Sequence, residues 1–360
     1  MKSYKVVLLP GDGIGPEISR VTIKILENIS NEYGFKLNIE TKVFGGSAIE
    51  TFREPLPNDT LEACKDSNAV LLAAIGDPKF DQLPRDSRPE TGLLKLRREL
   101  GLFANIRPVK AIPSLIDSST LKKEIIKDVD LVVVRELISG IYFGKPSGRI
   151  KTDEGERAFN TMTYSDKEIE QIAKVGFDLA LKRQRKVCSI DKANVLEVSQ
   201  LWRDKVNELS KNYKEIKLTH MYVDNASMQL VKDPSQFDVL LTSNLFGDIL
   251  SDESAMLTGS IGMLPSASLS VTGPGLFEPV HGSAPDIADQ NIANPMAMVL
   301  SAAMMLRIAL EEFEAANALE EAVNSVLNSG YRTKDLMNAK SIELTCSEMG
   351  DHLIDALNEK

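Results

Sequence analysis

The 360-residue sequence is poor in cysteine. Cys64, Cys188 and Cys346 are far apart and show neither CxxC nor any other metal-ligand spacing, which argues against a disulfide framework or a thiolate zinc site and reads as buried thiols in a reducing compartment. Long hydrophobic runs are missing too: the longest, Met296 to Leu306, stops at Arg307 and is too short to span a bilayer. A buried or subunit-interface helix is expected there. There is no excess of positive charge, since 42 Lys and Arg face 52 Asp and Glu. A net charge of −10 disfavours a nucleic-acid or anionic-membrane surface, so clustered arginines would serve a small anionic ligand. The opening MKSYKVVLLPGDG has too short an apolar run for a signal peptide and lacks the Arg- and Ser-rich character of a transit peptide. A cytoplasmic protein, with no membrane or nucleic-acid partner, is the expectation. Internal repeats and low-complexity segments are also missing.

What is present is an alternation. Val-, Ile- and Leu-rich runs at 4–9, 69–75, 129–134, 186–190, 217–223 and 237–241 are separated by stretches of helical periodicity, which predicts an α/β architecture with a largely parallel or mixed sheet. A chain of this length is long for one core and should form two lobes. The motif GDGIGPE, Gly11 to Glu17, follows the first strand like a dinucleotide fingerprint, but Pro16 stands where the third glycine belongs. The fold is therefore not read as Rossmann, and the motif is taken as a tight turn at the mouth of a cleft. The charge runs at 182–186 and 311–322 read as solvated helix faces.

The stretch NLFGDILSDESAMLTGSIGM, Asn244 to Met263, follows an apolar run and reads as strand, turn and helix, with Ser243 or Asn244 as N-cap. Asp248 and Asp252 are four residues apart and share a face. Such a pair is usually a solvated surface. Here no Lys or Arg occurs from Leu245 to Met263 and the remaining positions are largely apolar, so something positive should sit between the carboxylates. Oxygen-only ligands favour Mg²⁺ or Mn²⁺ over zinc. Asp224, in MYVDNASMQL, ends another apparent strand and could join the site.

In RPETGLLKLRREL, Ser87 can cap a helix that begins at Pro89 and ends at Gly101, with Glu90, Leu93, Leu94 and Arg97 along one stripe. The stripe reads either as an arginine stem packed on the core or as a pocket for a carboxylate and a small branched alkyl group. Arg107 in FANIRPVK and Arg135 in LVVVRELISGIYFG stand past apparent strand ends, and with the aspartates they fit a site for a metal and a di-acid. Tyr142 offers a phenol. Lys192, after the strand KVCSI, could act as a base if its pKa is lowered, or could be an ordinary exposed lysine. The segment FEPVHGSAPDIADQNIANP, 277–295, suggests a loop that lays backbone N–H groups against a ligand, with His281 able to stack on an adenine. Asp286 would accept hydrogen bonds from an adenosine ribose and repel a 2′-phosphate, which favours NAD over NADP.

Together these segments resemble the β-decarboxylating dehydrogenases of the isocitrate/isopropylmalate dehydrogenase family. GDGIGPE, RPETGLLKLR, FANIRP, RELISGIYFG, DKANVLE, VDNASMQL, NLFGDILSD and EPVHGSAPDIA occur in the family's order and cover nearly the whole chain. The resemblance implies a two-lobed fold with a large mixed sheet flanked by helices. The cofactor lobe would comprise 1–102 plus 259–360, and the substrate, metal and dimerisation lobe 103–258. It implies that Arg97, Arg107 and Arg135 bind malate carboxylates, that Asp224, Asp248 and Asp252 hold Mg²⁺ or Mn²⁺, and that Tyr142 and Lys192 are the acid–base pair. NAD would be held by Ile14, Glu90, His281, Gly282, Ser283, Ala284, Asp286, Ile287 and Asn294. Lys192 and Asp224 would reach the site from the partner of an obligate homodimer, and Asp224 would touch substrate as well as metal.

The implied activity is NAD-dependent oxidative decarboxylation of (2R,3S)-3-isopropylmalate to 4-methyl-2-oxopentanoate and CO₂, a step of leucine biosynthesis. Leu93, Leu94 and Val195 favour an isopropyl group, because a third carboxylate buried unpaired against leucine would cost roughly several kcal/mol. The nearest rival is a relative acting on homoisocitrate, tartrate or another alkylmalate. A non-catalytic paralogue should have lost a metal acid, the tyrosine or the lysine, and a phosphoryl-transfer enzyme would need a phosphate-loop lysine that GDGIGPE lacks. Departures from the family pattern are Phe277, Ile138-Ser139 and Asp289-Gln290-Asn291, the last in place of a glycine-containing turn in the cofactor loop.

Overall fold

A computed structural model describes residues 1–359. The chain forms two compact units, one of Met1–Leu102, Ala111–Lys123 and Ala255–Lys360, the other of Phe103–Lys110 and Glu124–Ser254. Their limits differ from the expected ones at 111–123 and at 255–258. The segment 111–123 goes with the first unit because Leu115 is buried in that unit's core and Arg332 Nη2 donates to Ser114 O at 2.8 Å. Its short 3-10 turn, Pro113–Ser118, carries no periodicity that would have revealed this.

In the first unit the strands Lys36–Thr41, Ser3–Gly11, Ala69–Ala74, Gly275–Pro279 and Pro265–Leu269 lie side by side in that order. The first four are parallel and the last is antiparallel to its neighbour. Ala69–Ala74 is buried along its whole length, which explains its unbroken apolar run. Helix Gly15–Glu32 turns Ile18, Val21, Ile25, Leu26 and Ile29 to the core at helical spacing. Helix Met296–Ile308 is buried on nearly every side, as its composition required. Phe277 is fully buried in its strand, so the core takes it without a hydroxyl.

In the second unit the order is Ala104–Lys110, Asp130–Glu136, Val239–Thr242, Lys186–Asp191 and Lys217–Tyr222. The first pair is antiparallel and the rest are parallel. Each unit is thus helix-flanked mixed sheet, in agreement with the expected α/β class. Helix Asp166–Leu181 is fixed by a capping box, Ser165 with Glu168, and buries Ile169, Ile172, Ala173 and Phe177. The run 182–186 is not a helix face, because that helix ends at Leu181 and Arg183 bridges Asp130 and Asp238 at 2.7 and 2.8 Å. All three cysteines are free and buried. Burial pushes the thiol of Cys188 up to about 11 and those of Cys64 and Cys346 to about 12, which leaves them protonated and inert.

The GDGIGPE turn joins the first strand to helix Gly15–Glu32. Gly13 has φ +54°, and a Cβ there would lie 2.0 Å from Ser283 O. The close approach lets the Ile14 N–H donate to that same oxygen at 2.8 Å, tying the turn to the 281–295 loop. Asp12, buried, accepts from the N–H groups of Gly46, Ser47 and Gly76. Gly13→Ala should combine left-handed strain with this collision and cost about 2 kcal/mol or more. Urea denaturation reads the loss, and an unchanged midpoint would mean that the turn is not held as described.

Candidate active site

The acidic helix spans Asn244–Ala255 and gives way to short 3-10 turns, so it ends well before the expected Met263. Neither expected cap operates through its side chain. Ser243 Oγ is buried without a partner, and the Asn244 amide is engaged elsewhere, accepting from Arg135 Nη2 at 2.8 Å and donating to Ser139 O at 3.1 Å. The Tyr164 hydroxyl takes the Asn244 N–H instead, at 2.8 Å.

Asp248 and Asp252 do share a face, and the positive charge their spacing called for comes from neighbouring strands. Arg107 and Arg135 lie inside the strands Ala104–Lys110 and Asp130–Glu136, not past their ends. Arg135 is 2% exposed and its Nη1 contacts Asp248 Oδ1. Arg107 Nη1 lies 3.0 Å from Asp252 Oδ1 and its Nη2 4.0 Å from Asp248 Oδ1. Tyr142 donates to Asp248 Oδ2 at 2.6 Å. Burial, reinforced by that carboxylate, pushes the phenol up to about 12, so it holds its proton. Partial burial raises Asp252, with repulsion from Asp248 adding to it and Arg107 opposing. Two arginines, two acids and a protonated phenol therefore converge on one patch.

Lys192 directly follows the strand Lys186–Asp191, and its Nζ lies 2.9 Å from Asp224 Oδ1. Asp224 stands in the first turn of helix Val223–Lys232, one element later than expected, and its hydrogen bond to Lys192 holds its carboxyl below the usual range. Val195 is 69% exposed. Among the described residues of one chain, no three His, Cys, Asp or Glu side chains come together as a metal site. Asp224 thus does not complete a triad with Asp248 and Asp252 inside a single copy.

In the first unit Arg97 is buried on helix Pro89–Glu99, its Nη2 2.9 Å from Glu278 Oε1. Leu93 is buried beside it and Leu94 half-buried. Ser87 does not cap this helix, since the chain enters through Arg88 and no side chain caps it. A separate cavity of about 430 Å³ is lined by Ile14, His281, Gly282, Ala284, Ile287 and Asn294, as the loop motif led one to expect. Ser260–Gly262, Ile292, Ala293, Lys334 and Asp335 also line it. No local pattern marks these, because Lys334 and Asp335 sit in a short turn about 40 positions beyond the loop. Ser283 supports the cavity from behind through Gly76 O, while Asp286 and Glu90 do not line it. The His281 Nδ1 is paired with Gly282 O at 2.8 Å, its Nε2 is buried without a partner, and burial lowers its pKa, so the ring is neutral. Asp289 and Asn291 adopt φ of 60° and 58°, the conformation a glycine would take, which these two residue types tolerate.

The Arg97–Glu278 pair is a buried charge pair. Glu278→Leu strands the guanidinium and should cost about 3–5 kcal/mol, whereas Arg97→Leu/Glu278→Leu should lose markedly less. Chemical denaturation of the three proteins decides it. A single variant as stable as the parent would mean the pair contributes nothing.

The isocitrate/isopropylmalate dehydrogenase family model matches residues 5–353. The 3-isopropylmalate dehydrogenase of Prochlorococcus marinus (strain NATL2A) is 66% identical over 358 residues, 99% of this chain and all of that protein. The protein of the same name from Synechococcus sp. (strain CC9605) is 64% identical over 357 residues, with the same coverage. A crystal structure of isocitrate dehydrogenase from Methylococcus capsulatus superposes with a TM-score of 0.87 at 36% identity, covering 98% of this chain and 99% of that one. With a family match over almost its full length and full-length relatives at this identity, the chain belongs to the isocitrate/isopropylmalate dehydrogenase family.

Proposed function

We propose that the protein catalyses the NAD- and Mg²⁺- or Mn²⁺-dependent oxidative decarboxylation of (2R,3S)-3-isopropylmalate to 4-methyl-2-oxopentanoate and CO₂. The observation that carries this reading is the convergence of Arg107, Arg135, Asp248, Asp252 and Tyr142 on one patch, a donor set suited to a di-acid and a hard cation. Full-length relatives at 64–66% identity that bear the name 3-isopropylmalate dehydrogenase support the substrate. Leu93 and Leu94, set on the same helix as Arg97, supply the apolar contact that an isopropyl group requires and a third carboxylate would not tolerate.

The residues fit both cofactors. Asp248 and Asp252 are oxygen donors whose mutual repulsion a cation would relieve. Asp224 would join them from a second copy of the chain. The NAD adenosine would take the cavity of the first unit, where Ile14 and Ile287 offer apolar walls, His281 a neutral ring and Asn294 an amide. Asp286 would favour the unphosphorylated ribose. We assign the first unit to the cofactor and the second to metal, substrate and dimerisation.

When bound, NAD⁺ supplies the acceptor for the C2 hydride and the divalent cation supplies Lewis acidity toward the 2-oxo acid. The chain's own residues do the rest. Arg107 and Arg135, with Arg97, neutralise the substrate carboxylates. Lys192, directly or through water, takes the C2 hydroxyl proton. Tyr142, kept protonated by its surroundings, delivers a proton to C3 after CO₂ leaves.

A homodimer with shared sites accounts for two further observations. Asp224 lies apart from the other acids within one chain. Met228, Val231 and Ile249, on helices Val223–Lys232 and Asn244–Ala255, are about half or more exposed, an apolar surface that a second copy would cover. No helix among the described residues is long and apolar enough to cross a membrane. Free buried cysteines support a cytoplasmic setting.

Purified protein with NAD⁺ and Mg²⁺ should form NADH rapidly from 3-isopropylmalate, slowly or not at all from isocitrate, and not at all in EDTA. Lys192→Met should abolish turnover while sparing NAD binding. NADH formation from isocitrate alone would overturn the substrate assignment, and near-normal turnover by Lys192→Met would remove that lysine from the mechanism.

A further inference from the structure

Glu136 is the last residue of the strand Asp130–Glu136, follows Arg135 directly and is 1% exposed. It touches none of the groups assigned to chemistry. Its Oε1 accepts the Ile138 N–H at 2.8 Å, and its Oε2 accepts the Ser139 N–H at 3.1 Å and the Tyr164 hydroxyl at 3.0 Å. Tyr164 in turn accepts the Asn244 N–H, and the Asn244 side chain donates to Ser139 O while accepting from Arg135. The turn 137–142 is therefore gripped on both sides. The Ser139 hydroxyl donates to Glu168 at 2.6 Å, and the Gly140 N–H donates to Thr163 O at 3.0 Å. Gly140 has φ +74°, and a Cβ there would lie 2.5 Å from the Tyr164 hydroxyl. Two residues on, Tyr142 reaches Asp248.

We infer that the buried Glu136–Tyr164–Asn244 network is a positioning device for the reaction, holding the turn that aims the Tyr142 phenol. The inference rests on the function proposed above. The physical reason is that Tyr142 projects from a short 3-10 turn with no regular structure of its own beyond it. The turn's hydrogen bonds set its direction together with its own bond to Asp248 and the Arg135 guanidinium 5.8 Å from its ring centroid, and a small displacement of an acid from its target loses rate steeply. Burial pushes Glu136 up to about 7 while the two N–H groups and the Tyr164 hydroxyl oppose it, and in its ionised form it receives all three donors at once. A glutamine would present an NH₂ to donors already pointing at it.

Glu136→Gln should lower kcat about tenfold to a hundredfold, the scale of loss from a mispositioned group, with the KM for NAD⁺ little changed and the thermal midpoint lowered by the donors left unpaired. Tyr164→Phe should act in the same direction and serves if Glu136→Gln does not fold. The deciding measurement is non-additivity, with residual turnover followed at high enzyme concentration. Placed on Tyr142→Phe, Glu136→Gln should cost less than about a further twofold, since the group it positions is already gone. A kcat within twofold of the parent in both single variants, or losses that multiply in the double variant, would overturn the inference. A parent enzyme inactive on 3-isopropylmalate but active on another 2-hydroxy acid would sink the substrate reading alone, and the same comparisons would be made with that acid.

Discussion

The second unit is arranged around one buried cation. Arg135, almost completely removed from solvent, has Asp248 and the Asn244 amide to receive its N–H groups. That pairing fixes the start of helix Asn244–Ala255 against the strand Asp130–Glu136, and with it the face that carries Asp248 and Asp252. Arg107 lies in the neighbouring antiparallel strand, two residues past Asn105, which is paired with Arg135 in the ladder. A pair of arginines balances a pair of acids here, and on the proposed function a dianion and a dication would each take over one half of that charge pairing.

Much of this was legible in the sequence. The apolar runs marked six strands, and those buried on both faces, such as Ala69–Ala74 and Asp130–Glu136, read as nearly unbroken apolar residues. The i,i+4 acids marked the face on which Asp248 and Asp252 meet the two arginines, and the loop after Phe277 lines the cavity. Other parts were not legible. The strand Ala104–Lys110 contains Pro108 and two polar residues buried by tertiary pairing, so Arg107 read as a loop residue although it is held inside a sheet. The helix at 244 was expected to run too far because its sequence stays apolar past Ala255, while the chain there turns at Gly259 with φ +92°. Lys334 and Asp335 reach the cavity through long-range packing that leaves no local pattern. Asp12 and Glu136 were passed over for a similar reason: a buried acid that works by accepting backbone N–H groups looks, in sequence, like any other acid.

The family pattern and the local physics agree where they meet. Asp289 and Asn291 adopt the backbone a glycine would take, and Asn291 is tied down through Glu17, Cys346 and Ser347. Lys192, just after the strand Lys186–Asp191, and Asp224, on the helix Val223–Lys232, form their own pair. A single chain carries two partial sites, one with the arginines, Tyr142 and two acids, the other with a base and one acid, and we read them as complementary parts supplied by two subunits.

That reading is tested most directly by complementation. Tyr142→Phe and Lys192→Met chains, each nearly inactive alone, would be co-expressed with different tags and the mixed dimer isolated together with both parents. Shared sites would give the random mixture about a quarter of parental activity, the statistical share of sites that combine two unaltered halves. A mixture no more active than its inactive parents, in the presence of demonstrated mixed dimer, would contradict sharing and would place both residues in the site of a single chain.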